Sequence, residues 1–149
     1  MLPKALNDTI EALGYLPGVG PRTAERYAYY LFRSNTKISK NIADSLNNLH
    51  QNVKNCPITF ALIDSDQNLS PLYEDPKRDR STILVVEEPL DIFAIEQTKQ
   101  YTGTYHVLGG AISPIDGITP DKLHIKELLN RVKTDQVKEI IIATNPSVE

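Results

Sequence analysis

The sequence predicts a mixed chain: helices through residues 1–55, a small irregular β module over 56–80, and an α/β unit with a parallel sheet over 81–149. Three textures lead there. Apolar residues recur at helical spacing in the first segment. Prolines and turn formers crowd the second. β-branched runs alternate with helical patterns in the third.

Leu2, Leu6, Ile10 and Leu13 keep one face of a first helix, which Gly14 is placed to end. Pro21 suits the first turn of a second helix, whose stripe is Ala24, Tyr27, Ala28, Leu31 and Phe32. A third stripe, Ile38, Ile42, Leu46, Leu49 and Val53, holds for about four turns. Between 56 and 80, Phe60–Ile63 reads as a strand followed by a loop through Asp64–Asn68. Beyond 80, Thr82–Val86 is a β-branched run suited to a buried strand. A helix over Leu90–Lys99, a strand over Thr104–Leu108, a helix over Lys122–Val132 and a strand over Glu139–Ala143 follow. Strands alternating with helices imply parallel pairing and right-handed crossovers.

Composition narrows the function. No apolar run approaches the length of a membrane span, and the N-terminus lacks the apolar core and cleavage site of a signal peptide. The chain therefore reads as cytoplasmic. A single cysteine, Cys56, excludes an intrachain disulfide. The net charge of -3 argues against nucleic acid, but the charge is unevenly spread. Residues 1–55 carry seven basic and four acidic side chains, whereas 81–149 carry six basic and ten acidic ones. Such asymmetry suits a basic DNA face and an acidic partner face, or is ordinary scatter.

The stretch Leu16-Pro17-Gly18-Val19-Gly20-Pro21-Arg22 is the strongest local signal. Gly18 and Gly20 separate two helical patterns and are expected to take backbone angles closed to other residues. Val19 between them is placed to plug the groove between the helices. Backbone N–H groups there, with the second helix's N-terminus, form an anion site. Arg22 and Arg26, one turn apart, add charge-assisted bonds to neighbouring phosphates. This resembles a helix-hairpin-helix, which grips phosphates without reading sequence. The plain alternative is a tight turn whose glycines serve geometry alone.

Cys56-Pro57-Ile58-Thr59 begins like a zinc knuckle but has a threonine where the second cysteine belongs, and Ser70 and Tyr73 repeat the two-residue gap downstream. Hydroxyls are poor zinc ligands, so Cys56 reads as a small buried hydrophobe. Pro57, Pro71, Leu62, Leu72 and Tyr73 are expected to organise this module instead of a metal. Glu87 and Glu88 sit just after the first parallel strand, where α/β sheets gather ligands, and Asp91 is placed to cap the following helix. Metal-dependent phosphoryl chemistry needs several convergent carboxylates, but the third strand runs into Thr144, Asn145 and Pro146, with Glu149 its only acid. A structural or partner-contact role for Glu87, Glu88 and Asp91 is favoured over weak Mg²⁺ binding, and both over catalysis. His50, His106 and His124 read as satisfied or exposed histidines rather than catalysts. Tyr15, Tyr101 and Tyr105 stay open between core and interface.

Together these stretches resemble the RecR family of recombination mediators along the whole chain. The carrying residues are LPGVGPRTAERYAYYL, the knuckle positions Cys56, Thr59, Ser70 and Tyr73, the basic DPKRDR, and a Toprim domain opening VVEEPLDIFAIEQTKQYTGTYHVLGGAISPIDGI and reaching IIIATNPSVE. The resemblance implies a helix-hairpin-helix over 1–55, a degenerate zinc-finger-like module over 56–80 and a Toprim domain over 81–149. It implies a DNA-repair factor, not an enzyme, that binds DNA through Arg22 and Arg26. It would form a ring or half-ring as a homo-oligomer, dimer or tetramer. With RecO and RecF it would help load RecA at single-strand gaps, and its Toprim surface, Glu87 included, would go to protein partners. Two departures qualify this. The family's zinc is not expected here, and the chain reads as shortened after Glu149, which puts the closed ring in doubt. The rival readings are a Toprim metal-dependent phosphodiester enzyme and a protein-bridging module without DNA binding.

Overall fold

The computed structural model describes residues 2–146 and divides into two compact units, 1–50 and 51–149. The first unit is helical, with α1 (Lys4–Gly14), α2 (Pro21–Arg33) and α3 (Thr36–Asn52). Helix α1 packs on α2. Ala24 and Ala28, each 1% exposed, are the buried contact, and their small side chains let the helices approach closely. Pro21 occupies the first turn of α2 as expected. Parts of the anticipated stripes lie outside the core. Tyr27 and Phe32 are exposed, because Ala24, Ala28 and Leu31 already fill the narrow contact face. Ile38, Ile42, Leu46 and Leu49 of α3 are also exposed, since no described element covers that face. Of these, Ile42 and Leu46 border an apolar groove of about 610 Å³, walled also by Leu6, Ala28, Leu31 and Phe32. Val53 leaves the third stripe and starts a strand.

The second unit opens with β1 (Val53–Asn55) antiparallel to β2 (Leu62–Asp64). The strand expected over Phe60–Ile63 begins later, because Phe60 turns the chain at φ 59°. Short helix α4 (Pro71–Glu74) follows, then β3 (Asp79–Val86), α5 (Pro89–Gln97), β4 (Gly103–Val107), α6 (Ile125–Thr134) and β5 (Glu139–Ile142). The three long-range strands form a parallel sheet in the order β4-β3-β5. Central β3 pairs Leu84 with Tyr105 on one side and with Ile141 on the other. Its residues Ile83 to Val86 are all buried, as a strand covered on both faces requires. Leu84, Val86, Ile92, Tyr105, Val107 and Ala61 form the core cluster. The helix expected over Lys122–Val132 starts later, at Ile125. A 3₁₀ turn at Pro120–Lys122 precedes it, and Leu123 between them is extended and buried.

Polar groups pin the sheet to its helices. Arg131 of α6 is 5% exposed and donates to the Tyr105 carbonyl, to Thr104 Oγ1 at 2.7 Å and to Asp135 at 3.0 Å. Arg78 pairs with Glu96 and donates to the Gly103 carbonyl at 3.0 Å. A Cβ at Gly103 would lie 2.8 Å from the Thr82 carbonyl, so this strand start must be glycine.

His106 of β4 is fully buried, with Nε2 2.8 Å from the His124 carbonyl and Nδ1 without a partner among the described residues. Phe60 meets its ring edge-on and stacks on His124. Burial pushes the His106 pKa down to about 4, against the upward pull of the His124 carbonyl. The unfolded chain takes up that proton below about pH 6.5. The folded form resists it until about pH 4, so stability present above pH 6.5 is lost as pH falls through that window. The full loss from this group is on the order of 3 kcal/mol. Denaturant unfolding followed by tyrosine near-ultraviolet dichroism should show a falling midpoint from pH 6.5 to 4.5. His106→Gln, which keeps a donor for the His124 carbonyl, should flatten that slope.

Candidate nucleic-acid interface

The loop between α1 and α2 is built by two glycines with different tasks. Gly18 sits at φ 77°, in the left-handed region that a side chain strains. Gly20 does not, which corrects the expectation for it: its φ is -78° and ψ 169°, extended backbone open to any residue. A Cβ at either glycine meets no atom within 4 Å, so neither is held to glycine by packing within the chain. Val19 between them is half-buried, and its N–H donates to the Leu16 carbonyl at 3.1 Å. Among the described residues, the N–H groups of Gly18 and Gly20 have no acceptor.

Helix α2 begins here without a side-chain cap, because its N-cap residue is Gly20. Pro21 has no N–H, and the amides of Thr23 and Ala24 donate to the Gly20 carbonyl at 2.9 and 3.0 Å, so the Arg22 N–H is the amide of this first turn left open among the described residues, with the positive end of the helix dipole behind it. Arg22 and Arg26 are exposed and take part in no ion pair among the described residues. The Arg26 guanidinium lies 5.5 Å from the Tyr27 ring centroid. Free amides, an uncapped dipole and two unpaired guanidinium groups on one exposed turn suit an oxyanion such as phosphate.

Three of the four knuckle positions, Cys56, Thr59 and Ser70, come together. Cys56, Thr59, Ser70 and Tyr73 are all buried. The Cys56 sulfur accepts from the amides of Thr59 at 3.5 Å and Ser70 at 3.3 Å. Burial pushes that thiol up, but hydrogen bonding from Thr59 and from the amides of Ile58 and Ser70 outweighs it and holds the pKa below the usual value. One sulfur and three hydroxyls do not suit zinc, which selects thiolate and imidazole. Tyr73 is engaged elsewhere. Its hydroxyl donates to Asp135 at 3.1 Å, and Arg80 and Arg131 lie over its ring, each 4.9 Å from the centroid. Of the apolar residues expected to organise this module, Tyr73 and half-buried Leu72 do so, while Leu62 is 42% exposed.

At the carboxyl end of β3, Glu87 is buried and both its oxygens are occupied. Asn145 donates to them from its backbone N–H at 2.8 Å and its side-chain amide at 2.9 Å. Sequence reasoning placed Asn145 only as the residue standing where a second carboxylate would be; its clasp on Glu87 was not visible. Exposed Glu88 and half-buried Asp91 are not aimed at Glu87, for Asp91 caps α5 by accepting the Glu88 N–H at 2.9 Å. Asp116 accepts from Ser113 at 2.8 Å. Among the described residues, no three His, Cys, Asp or Glu side chains gather to hold a metal. Glu149 lies outside the described residues.

The family described as "RecR, helix-hairpin-helix" matches residues 6–50, and the Toprim domain family matches 81–149. The chain is 48% identical to the recombination protein RecR of Moorella thermoacetica over 147 residues, covering 99% of this chain and 73% of that protein. It is 40% identical to the RecR of Tropheryma whipplei over 149 residues, 100% of this chain and 74% of the relative. The RecR of Cutibacterium acnes is 44% identical over 144 residues, 97% and 71% of the two chains.

The two hairpin glycines should separate in a stability measurement. Gly18→Ala places a Cβ in the left-handed region and should cost about 1–2 kcal/mol in the thermal or urea unfolding of the helical unit. Gly20→Ser meets no atom within 4 Å and adds a good N-cap, so it should leave stability unchanged or raise it by roughly a few tenths of a kcal/mol.

Proposed function

The chain belongs to the RecR family of recombination proteins, and we propose that it acts there as a DNA-binding mediator of recombinational repair without catalytic activity of its own. The hairpin is the observation that carries this reading. Gly18, Val19, Gly20 and the first turn of α2 would hold one backbone phosphate, and Arg22 and Arg26 would neutralise its neighbours. None of these groups would contact a base, so binding would be independent of sequence. In this role the protein would work with RecO and RecF to promote RecA loading at single-strand gaps. It would do so as a homo-oligomer, with the Toprim surface around Glu87 and Glu88 turned to protein partners.

The side chains around Glu87 favour mediation over phosphodiester chemistry. Two-metal phosphoryl transfer needs carboxylates with lone pairs converging on the ions. Here Glu87 spends both oxygens on Asn145, and Asp91 spends one on the start of α5. A magnesium ion would have to displace the Asn145 clasp, so at most weak binding is proposed. Two separate sets of contacts, the amides of Thr59 and Ser70 on Cys56 and the Asp135, Arg80 and Arg131 side chains on Tyr73, would take the place of the family's zinc as organisers of its module.

Fluorescence anisotropy with gapped and duplex DNA over a salt series tests the reading. Wild-type affinity should fall steeply with salt as phosphate counterions are released. Arg22→Glu/Arg26→Glu should lose most of the affinity and reduce the log–log slope by about 2. Gly20→Ser should also bind more weakly, because its side chain would stand where the backbone meets a phosphate. Retained affinity in the double arginine variant would move the DNA face away from the hairpin.

A further inference from the structure

Helix α2 carries more than the hairpin uses. At 3.6 residues per turn, Arg22, Arg26, Tyr29, Tyr30 and Arg33 fall within an arc of about 100°. That arc lies opposite Ala24 and Ala28, the buried face of the same helix. All five side chains are exposed, Tyr29 at 54% and Tyr30 at 60%. None of the three arginines forms an ion pair among the described residues. The Arg33 guanidinium lies 5.9 Å from the Tyr29 ring centroid. The stripe runs about 16 Å along the helix, well beyond the turn that faces a phosphate at the hairpin.

Exposed tyrosines interleaved with unpaired arginines match one ligand chemistry better than others. Duplex DNA keeps its bases stacked and offers only phosphates to such a face. A single strand offers both phosphates for the guanidinium groups and free base faces for the rings. We infer that the outer face of α2 is a track for single-stranded DNA, with Tyr29 and Tyr30 stacking on bases while Arg22, Arg26 and Arg33 follow the backbone. The inference rests on the hairpin reading above and extends it, by giving the same helix a preference for unpaired strands.

The test compares a fluorescein-labelled dT oligomer with a duplex of equal length, using wild type and Tyr29→Leu/Tyr30→Leu. Leucine keeps apolar bulk at two exposed positions and removes only the aromatic faces. The variant should bind the dT oligomer about tenfold or more weakly, with duplex affinity within about twofold of wild type. Ultraviolet cross-linking of wild type to the dT oligomer should attach the nucleotide to Tyr29 or Tyr30. Unchanged dT affinity in the variant, or equal loss on both polymers, would overturn the track while leaving the hairpin reading intact. A changed native mass with unchanged dT affinity would assign the face to a second copy of the chain, and would equally overturn it. Absence of wild-type binding to either polymer removes the hairpin reading and the track with it.

Discussion

The guanidinium of Arg131 is the group on which the α/β unit converges. It leaves water almost completely, and a charge does so at reasonable cost only when its donors are occupied and an opposite charge is near. Asp135, one turn on at the C-cap of α6, supplies the charge, while Thr104 and the Tyr105 carbonyl tie the same group to β4. The ring of Tyr73 closes the remaining side, and its hydroxyl returns to Asp135. Three parts of the unit that are distant in sequence thus share one desolvated cluster. A buried charge stripped of its partner costs roughly 3–5 kcal/mol, so the arrangement tolerates little variation.

Around that cluster the sheet does for position what the arginine does for cohesion. Because β3 is covered on both faces, its carboxyl end is fixed, and with it the backbone that presents Glu87. The segment after β5 returns beside it, and Asn145 takes both carboxylate oxygens. The topology that in α/β proteins gathers ligands at strand ends here gathers an amide and a carboxylate that satisfy each other. The helical unit shows the opposite economy. The amides of Gly18, Gly20 and Arg22 have no acceptor, and Arg22 and Arg26 no ion pair, among the described residues, which is how a surface meets something outside it.

Much of this was legible from residue order. Pro21 marked the start of α2, the β-branched run at 82–86 marked the central strand, and the Gly18-Val19-Gly20 spacing marked the hairpin. What stayed hidden depends on three-dimensional placement. Arg131 looks like any charged residue late in a helix, and only the fold shows it buried. Phe60 sat in a run of strand formers, yet the turn of the knuckle outweighs β propensity and drives it to positive φ. Leu123 fitted the helical period but is drawn into the core as extended chain, delaying α6. Gly20 resembled Gly18 in the sequence, and only the backbone angles separate them. The arginine–tyrosine stripe on α2 could have been found by helical periodicity, had charged and aromatic residues been counted as a face along with the apolar ones.

That Thr59, Ser70 and Tyr73, and not thiols, stand with Cys56 at the knuckle positions has a consequence for chemistry under oxidative stress. A four-thiolate site is vulnerable to peroxide, because oxidation of its sulfurs releases the metal and with it the local fold. A phenol, a carboxylate and two guanidinium groups offer an oxidant no comparable target. The remaining sulfur, Cys56, is fully enclosed and has no second thiol in the chain to pair with. The module would therefore keep its shape under peroxide.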